Sequence, residues 1–83
     1  MTRLNPEPVS AKEIHAVLTD PDFTHTAKVV WAYTRAVADP QRIKPMAEVL
    51  GMAENTVWRS LSALEARGLV RKVSGVWLAE EAQ

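Results

Sequence analysis

Apolar residues recur at helical spacing in four separate stretches of this chain. Residues three or four positions apart share one face of an α-helix, so each stretch predicts an amphipathic helix with one buried side. The predicted helices cover residues of about 11–19, 25–38, 44–50 and 54–67. The residues of the four apolar stripes are Ile14, Val17 and Leu18; Ala27, Val30, Tyr33 and Val37; Met46, Val49 and Leu50; and Val57, Leu61 and Leu64.

Polar residues and prolines mark the ends of these helices. Ser10 and Glu13 have the spacing of a capping box, in which each side chain binds the other residue's backbone N–H. The segment 20–22 contains a proline and should end the first helix, and Thr24 or Thr26 can cap the second. Asp39-Pro40 should end that helix. Ala53 precedes the fourth helix where a Ser or Thr would cap it better, which we expect to cost about 1 kcal/mol.

The last part of the chain changes from helical to extended patterning. Gly68 should stop the fourth helix, and residues 69–73 and 76–79 flank Ser74-Gly75, which predicts a β-hairpin. Arg42-Ile43 is a candidate for a short third strand. The predicted fold is mainly α with a small β-hairpin: about four helices and two or three short strands. We assign residues 1–9 to a flexible N-terminal arm and 10–83 to a single domain.

The segment 47–70 predicts a helix, a tight turn, a second helix and the start of a strand. It resembles the winged helix-turn-helix DNA-binding proteins, as in the MarR-like and related small bacterial, plasmid or phage regulators. The residues that carry the resemblance are Ala47, Gly51, Thr56, Val57, Leu61, Leu64, Glu65, Gly68, Leu69 and Val70. The resemblance implies a recognition helix at 54–67 and a wing at 69–79.

Charge and composition reduce the number of functional classes that remain. The formal net charge is zero, but residues 41–72 carry six basic and three acidic side chains, so the positive excess coincides with the proposed DNA-binding unit. The chain contains no cysteine and two histidines far apart, so we expect neither a metal nor another cofactor. No catalytic constellation is evident, so we expect no enzyme. Without a signal peptide or apolar span, we expect a cytoplasmic protein.

The face of the fourth helix opposite the apolar stripe provides the candidate base contacts. Arg59 could bind guanine and Asn55 adenine, and Ser62 lies on the same face. The alternative for Arg59 is an ion pair within the helix, but no acidic residue stands three or four positions away. The resemblance implies that Asn55, Trp58 and Arg59 face the groove and that Thr56 touches phosphate. Trp58 could instead be a packing residue, which we favour, and Thr56 could bond its own backbone.

Three further cations are candidates for phosphate contacts. Arg71 and Lys72 lie at the base of the hairpin, where the alternative role is to keep an edge strand soluble. Lys44 stands near the start of the third helix. Because the hairpin turn is short, we expect it to position the protein more than to read sequence.

These residues favour a sequence-specific binder of double-stranded DNA, acting as a repressor-like transcription regulator. A single recognition helix covers few base pairs, so we expect a homodimer or oligomer on repeated half-sites. Residues 11–19 and Trp31 are the candidate dimer surface. The alternative is a winged-helix protein-interaction module within a replication or transcription assembly, since the fold alone does not determine function.

Overall fold

The computed structural model describes residues 11–37 and 39–80. Four helices precede a two-stranded antiparallel hairpin, so the fold is mainly α, as the sequence predicts. The predicted cap at Ser10 and the N-terminal arm lie outside the described residues. The elements are α1 (Ala11–Leu18), α2 (His25–Ala36), α3 (Ile43–Leu50), α4 (Glu54–Ala66), β1 (Val70–Val73) and β2 (Val76–Ala79).

The core lies between α2 and α4, which pack on each other more extensively than any other pair of described elements. The α4 stripe of Val57, Leu61 and Leu64 is completely buried, as predicted from its spacing. Val30 of α2 and Met46 of α3 are also completely buried in the same cluster. Full burial of such a side chain contributes about 1.5–3 kcal/mol, so this stripe fixes which face of α4 turns outward.

The structure corrects two positions considered from the sequence. Trp31 was a candidate for the dimer surface together with residues 11–19, but it is 2% exposed and packs in the core with Val30. From its position beside the α2 stripe, the Trp31 ring enters the core, so this residue is not available for a surface contact. Val49 was expected to point inward, but 66% of it is exposed. Because α3 spans only eight residues, Met46 and Ala47 already supply its buried face.

The connections between helices follow local chemistry. The Thr24 hydroxyl accepts a hydrogen bond from the Ala27 backbone N–H at 3.0 Å and caps α2, as predicted. Between α3 and α4, Gly51 adopts φ +68°, a left-handed conformation that ends α3 and allows only residues 51–53 to separate the helices. Ala53 provides no side-chain cap for α4, as its sequence indicates.

A backbone bridge joins β2 of the hairpin to the segment just before α3. Val73 pairs with Val76 across the two-residue turn Ser74-Gly75. Gln41 donates its N–H to the Trp77 carbonyl at 2.8 Å and accepts the Trp77 N–H at 2.7 Å. The predicted third strand is therefore displaced: its pairing residue is Gln41, because Ile43 already begins α3.

Two arginines fasten the outer elements. Arg35 of α2 donates from Nη1 to the Glu80 carbonyl at 3.0 Å and from Nη2 to the Glu13 carboxylate of α1 at 3.4 Å. Arg67, directly after α4, donates from Nη2 to the Asp20 carboxylate at 2.8 Å and lies over the Phe23 ring. Both guanidinium groups therefore serve the fold by linking α1 and the α1–α2 connection to the other elements.

Candidate nucleic-acid interface

The outward face of α4 presents the predicted polar residues together. Asn55 and Arg59 are exposed, and Ser62 is partly exposed. Successive helix residues are about 100° apart, so these three side chains fall within about 60° of one another around the axis, opposite the buried stripe. The structure therefore brings the three predicted base-contacting residues onto one surface, which we call the α4 polar face.

Arg59 has no competing partner among the described residues. The structure gives its guanidinium no hydrogen bond, ion pair or ring contact within residues 11–37 and 39–80. The acidic residues of α4, Glu54 and Glu65, lie about 120° or more around the helix axis from it. Arg59 therefore keeps all its donors available to an external acceptor, unlike the engaged Arg35 and Arg67.

Trp58 lies beside the α4 polar face and is half exposed, at 51%. We favoured a packing role for this residue from its position at the edge of the apolar stripe, and that prediction is wrong. The completely buried residues of α4 fill its contact with α2 and α3 without Trp58. A single exposed aromatic residue is ordinary at a protein surface, so the exposure of Trp58 makes its ring accessible to a partner without marking a binding surface by itself.

Thr56 lies on the opposite flank of α4, where a groove separates α4 from the start of α2. The groove has a volume of about 230 Å³. Thr24 and Thr26 contribute from α2, Asp22 from the preceding connection, and Thr56, Arg59 and Ser60 from α4. Among the described residues, the Thr56 hydroxyl has no hydrogen-bond partner, and the hydrogen bonds nearby are those of α2 and the α1–α2 connection. The alternative of a self-bonded threonine is not supported.

The three cations predicted to contact phosphates differ in whether a neighbouring side chain already engages their charge. Lys44 is exposed in the first turn of α3. Arg71 is exposed, but its Nε lies 3.5 Å from the Glu80 carboxylate, which reduces its local positive charge. Lys72 is exposed with its ammonium 5.6 Å from the centre of the Trp77 ring, an arrangement that leaves its charge uncompensated among the described side chains.

Arg42 is a further candidate that the sequence argument overlooked by assigning it to a strand. It is the residue before α3, it is exposed, and its guanidinium reaches the hairpin turn. A Cβ placed on Gly75 would lie 3.5 Å from its Nη1 atom. Arg42 thus adds a cation near the tip of the hairpin. Lys72 of β1, two residues before the turn, supplies another. The sequence signal that could have found it is a basic residue directly before a predicted helix start.

Away from the α4 polar face, the hydrogen bonds and charges around Asp20 give this carboxylate a structural role. The backbone N–H of Asp22 and the Arg67 guanidinium both donate to the Asp20 carboxylate and together lower its pKa below the ordinary value of 3.8. Stabilising the charged form in this way is characteristic of a carboxylate engaged in hydrogen bonds and an ion pair. Asp20 therefore anchors the α1–α2 connection to the end of α4.

Within residues 11–37 and 39–80, no group of three His, Cys, Asp or Glu side chains is placed to hold a metal ion. None of the helices described combines the length and hydropathy required to cross a membrane. Comparisons with protein-family models, curated proteins and solved structures found no match to the chain. The functional argument therefore depends on the geometry of the α4 polar face and its surroundings.

Proposed function

We propose that this protein binds double-stranded DNA with sequence specificity, as a winged helix-turn-helix in which α4 is the recognition helix and the hairpin is the wing. The observation that carries the proposal is Arg59: an exposed, unpaired guanidinium beside Asn55 on a helix whose opposite face is completely buried. A helix held in this way can enter the major groove without rearranging the core.

The chemistry of the α4 polar face suits base edges. Arg59 can donate two parallel hydrogen bonds to guanine O6 and N7, and the Asn55 amide can pair with adenine N6 and N7. Both residues lie in the first half of α4, the part of a recognition helix that reaches deepest into the groove. Trp58 would cover a sugar or a thymine methyl group at the edge of the contact.

The cations around α4 would provide sequence-independent affinity. Lys44 at the start of α3 and Arg42 and Lys72 near the hairpin would contact phosphates, with a smaller contribution from Arg71 because Glu80 competes for it. Phosphate contacts position a protein on the duplex, whereas base contacts select the site. Because its turn has two residues, the wing would position the protein on the duplex and would contribute little to selecting the site.

In the cell we propose a cytoplasmic, repressor-like regulator acting as a homodimer on repeated half-sites. Since Trp31 is buried, the dimer surface that remains from the sequence prediction is α1. Its Ile14 is 38% exposed and its Leu18 48% exposed. Pairing two recognition helices would multiply affinity and explain how so small a domain distinguishes one site from many.

The test is selection of duplexes from a randomised pool with the wild-type protein and with Arg59→Ala. We expect the wild-type protein to enrich a motif and the variant to lose its preference at one guanine, at a cost of about 10- to 100-fold in affinity for the motif. Lys12→Ala is the matched control, because Lys12 is exposed at least about 120° around the α1 axis from Ile14 and Leu18; removing its charge should leave both the proposed dimer surface and the motif unchanged.

A second variant separates backbone contacts from base contacts. Lys72→Gln should weaken binding to every duplex alike and reduce the slope of log affinity against log salt by about 1. The absence of any enriched motif at moderate salt would refute the sequence-specific proposal. Equal losses from Lys12→Ala and Arg59→Ala would show a diffuse attraction to charge and no base recognition.

One observation favours a protein-interaction module as a second candidate. Three large apolar side chains are substantially exposed on successive elements of the α3–α4–hairpin unit: Val49 at 66%, Trp58 at 51% and Val73 at 46%. Such residues suit a protein partner as well as a DNA surface. If Trp58→Ala abolishes a protein complex while Arg59→Ala leaves it intact, this alternative is favoured over DNA recognition.

A further inference from the structure

The side of α2 opposite the core carries a stripe of exposed residues without fixed charge. His25, Val29, Ala32 and Ala36 stand four, three and four positions apart, so they follow one side of the helix. All four are exposed, and 46% of Val29 is accessible to solvent. Alternating steps of four and three residues are the spacing with which one helix packs along another. The sequence of α2 therefore provides one side for the core and a second side suited to another helix.

The last turn of α1 widens this stripe. The Lys28 Nζ donates to the Leu18 carbonyl at 2.6 Å, and Arg35, about two turns further along α2, binds the first turn of α1. These two contacts make α1 antiparallel to α2 and bring Ile14, one turn before Leu18, about level with Ala32. Ile14 is 38% exposed and Leu18 48% exposed. We call this surface the α1–α2 face; its apolar residues are Ile14, Leu18, Val29, Ala32 and Ala36.

The α1–α2 face combines exposed apolar area with very little charge. Three of the six large apolar residues exposed in the described part of the chain belong to it. Its one cation, Lys28, already donates to a carbonyl of the same face. The charged residues of α1, Lys12 and Glu13, point at least about 100° around the helix axis away from Ile14 and Leu18. A charged partner would find no ion pair here, whereas two copies of the face would meet without like-charge repulsion.

We infer that the α1–α2 face is the contact between two copies of this chain, with α2 packed antiparallel on α2 of the second copy. The arrangement deepens the proposed homodimer, on which its role at paired half-sites rests, by adding the outer side of α2 to α1. Because the steps of four, three and four read the same in both directions, antiparallel pairing sets Val29 of each copy against Ala32 of the other. A large side chain opposite a small one allows close packing, whereas parallel pairing would set Val29 against Val29.

This contact is compatible with the proposed DNA surface. α2 contacts α4 through its buried side, so the stripe on its opposite side leaves the α4 polar face uncovered. The apolar area on each copy is small, which predicts a weak dimer in free solution. A duplex with two half-sites would hold both copies side by side and raise their effective concentration. We therefore expect a monomer in dilute solution and a dimer on DNA.

Sedimentation of the full chain from about 10 μM to 1 mM tests the contact directly. Ala32→Glu and Val29→Lys should each weaken self-association at least about tenfold, because each places a charge in an apolar contact. An equimolar mixture of the two variants should recover it, because Glu at position 32 then faces Lys at position 29 of the other copy.

Ala16→Glu is the matched control. It introduces the same charge at an exposed position of α1, about 160° around the axis from both Ile14 and Leu18, and should leave self-association unchanged. Urea unfolding of dilute Ala32→Glu checks that the monomer folds, because residue 32 is exposed and its replacement should not alter the core.

A second measurement compares duplexes carrying one and two copies of the selected half-site. The wild type should bind the paired sites cooperatively. Ala32→Glu should keep its affinity for the single half-site and lose the cooperativity, since residue 32 lies away from the α4 polar face. Arg59→Ala should lower the affinity for the single half-site, so the two variants separate self-association from base recognition.

The outcomes distinguish the dimer contact from DNA binding. Loss of self-association or of cooperativity in both single variants, with recovery in their mixture, supports the contact; if no duplex binds at all, only the DNA proposal fails. A wild type that stays monomeric to about 1 mM and fills two half-sites independently refutes the contact and leaves DNA binding intact. Self-association that neither substitution weakens, or that Ala16→Glu weakens equally, also refutes it. Loss in both variants without recovery in the mixture refutes the antiparallel arrangement.

Discussion

The hairpin turn offers a stabilising substitution whose sign follows from backbone geometry. Ser74 has φ +53° and Gly75 φ +82°, and both lie between the paired residues Val73 and Val76. Positive φ at both central positions defines a type I′ turn, which favours Asn followed by Gly. A left-handed conformation costs an ordinary L-residue about 1–2 kcal/mol, and asparagine tolerates it better. Ser74→Asn should therefore raise the free energy of unfolding by about 0.5–1 kcal/mol.

Urea unfolding followed by tryptophan fluorescence measures this effect, because Trp77 in β2 is 3% exposed and should report loss of the hairpin. For a domain of this size the expected gain corresponds to an increase in Tm of about 2–8 °C. Gly75→Ala is the paired control. Its Cβ would make an ordinary 3.5 Å contact with Arg42, so its expected loss of about 1–2 kcal/mol comes from φ alone. A Ser74→Asn protein no more stable than the wild type would refute the reasoning.

Two further predictions concern the elements that orient α4. Leu61→Ala removes a completely buried side chain of the α4 stripe and should lower the free energy of unfolding by about 2–5 kcal/mol, measured in urea; a loss below about 1 kcal/mol would contradict the packing argument. Because hydrogen bonds and Arg67 lower the pKa of Asp20 in the folded protein, the stability from this carboxylate is present above its ordinary pKa of 3.8 and is lost as pH falls through the lowered value. The difference in Tm between the wild type and Arg67→Gln should therefore be largest near neutral pH and shrink in acid, and a difference independent of pH would refute the ion pair.

The sequence predicted the elements well because apolar spacing and turn residues are local signals. The stripe of Val57, Leu61 and Leu64 and the Ser74-Gly75 turn each depend on neighbours within a few positions, and the structure confirms both. The outward position of Arg59 followed from the same stripe, since burial of one helix face determines the other. The four helices and the hairpin were therefore predictable from short windows of sequence.

The errors arose where tertiary packing decides between equally plausible local choices. Val49 and Leu50 both belong to the predicted α3 stripe, yet Leu50 packs against the core and Val49 is exposed. Trp31 and Trp58 each border an apolar stripe, yet one is buried and the other half exposed. The groove around Ser60 was likewise invisible, because residues 22–26 and 56–60 become neighbours only when α2 packs on α4.

The backbone bridge between Gln41 and Trp77 has a consequence for local motions. Its two hydrogen bonds join the strand segment before α3 to β2, so they close a loop that contains α3, α4 and β1. The two ends of that loop cannot separate unless both hydrogen bonds open, and β2 also packs against α2. The amide protons of Gln41 and Trp77 should therefore exchange with solvent at rates that report how often the α3–α4 unit is released, and slow exchange at both would mark it as a rigid, preoriented body.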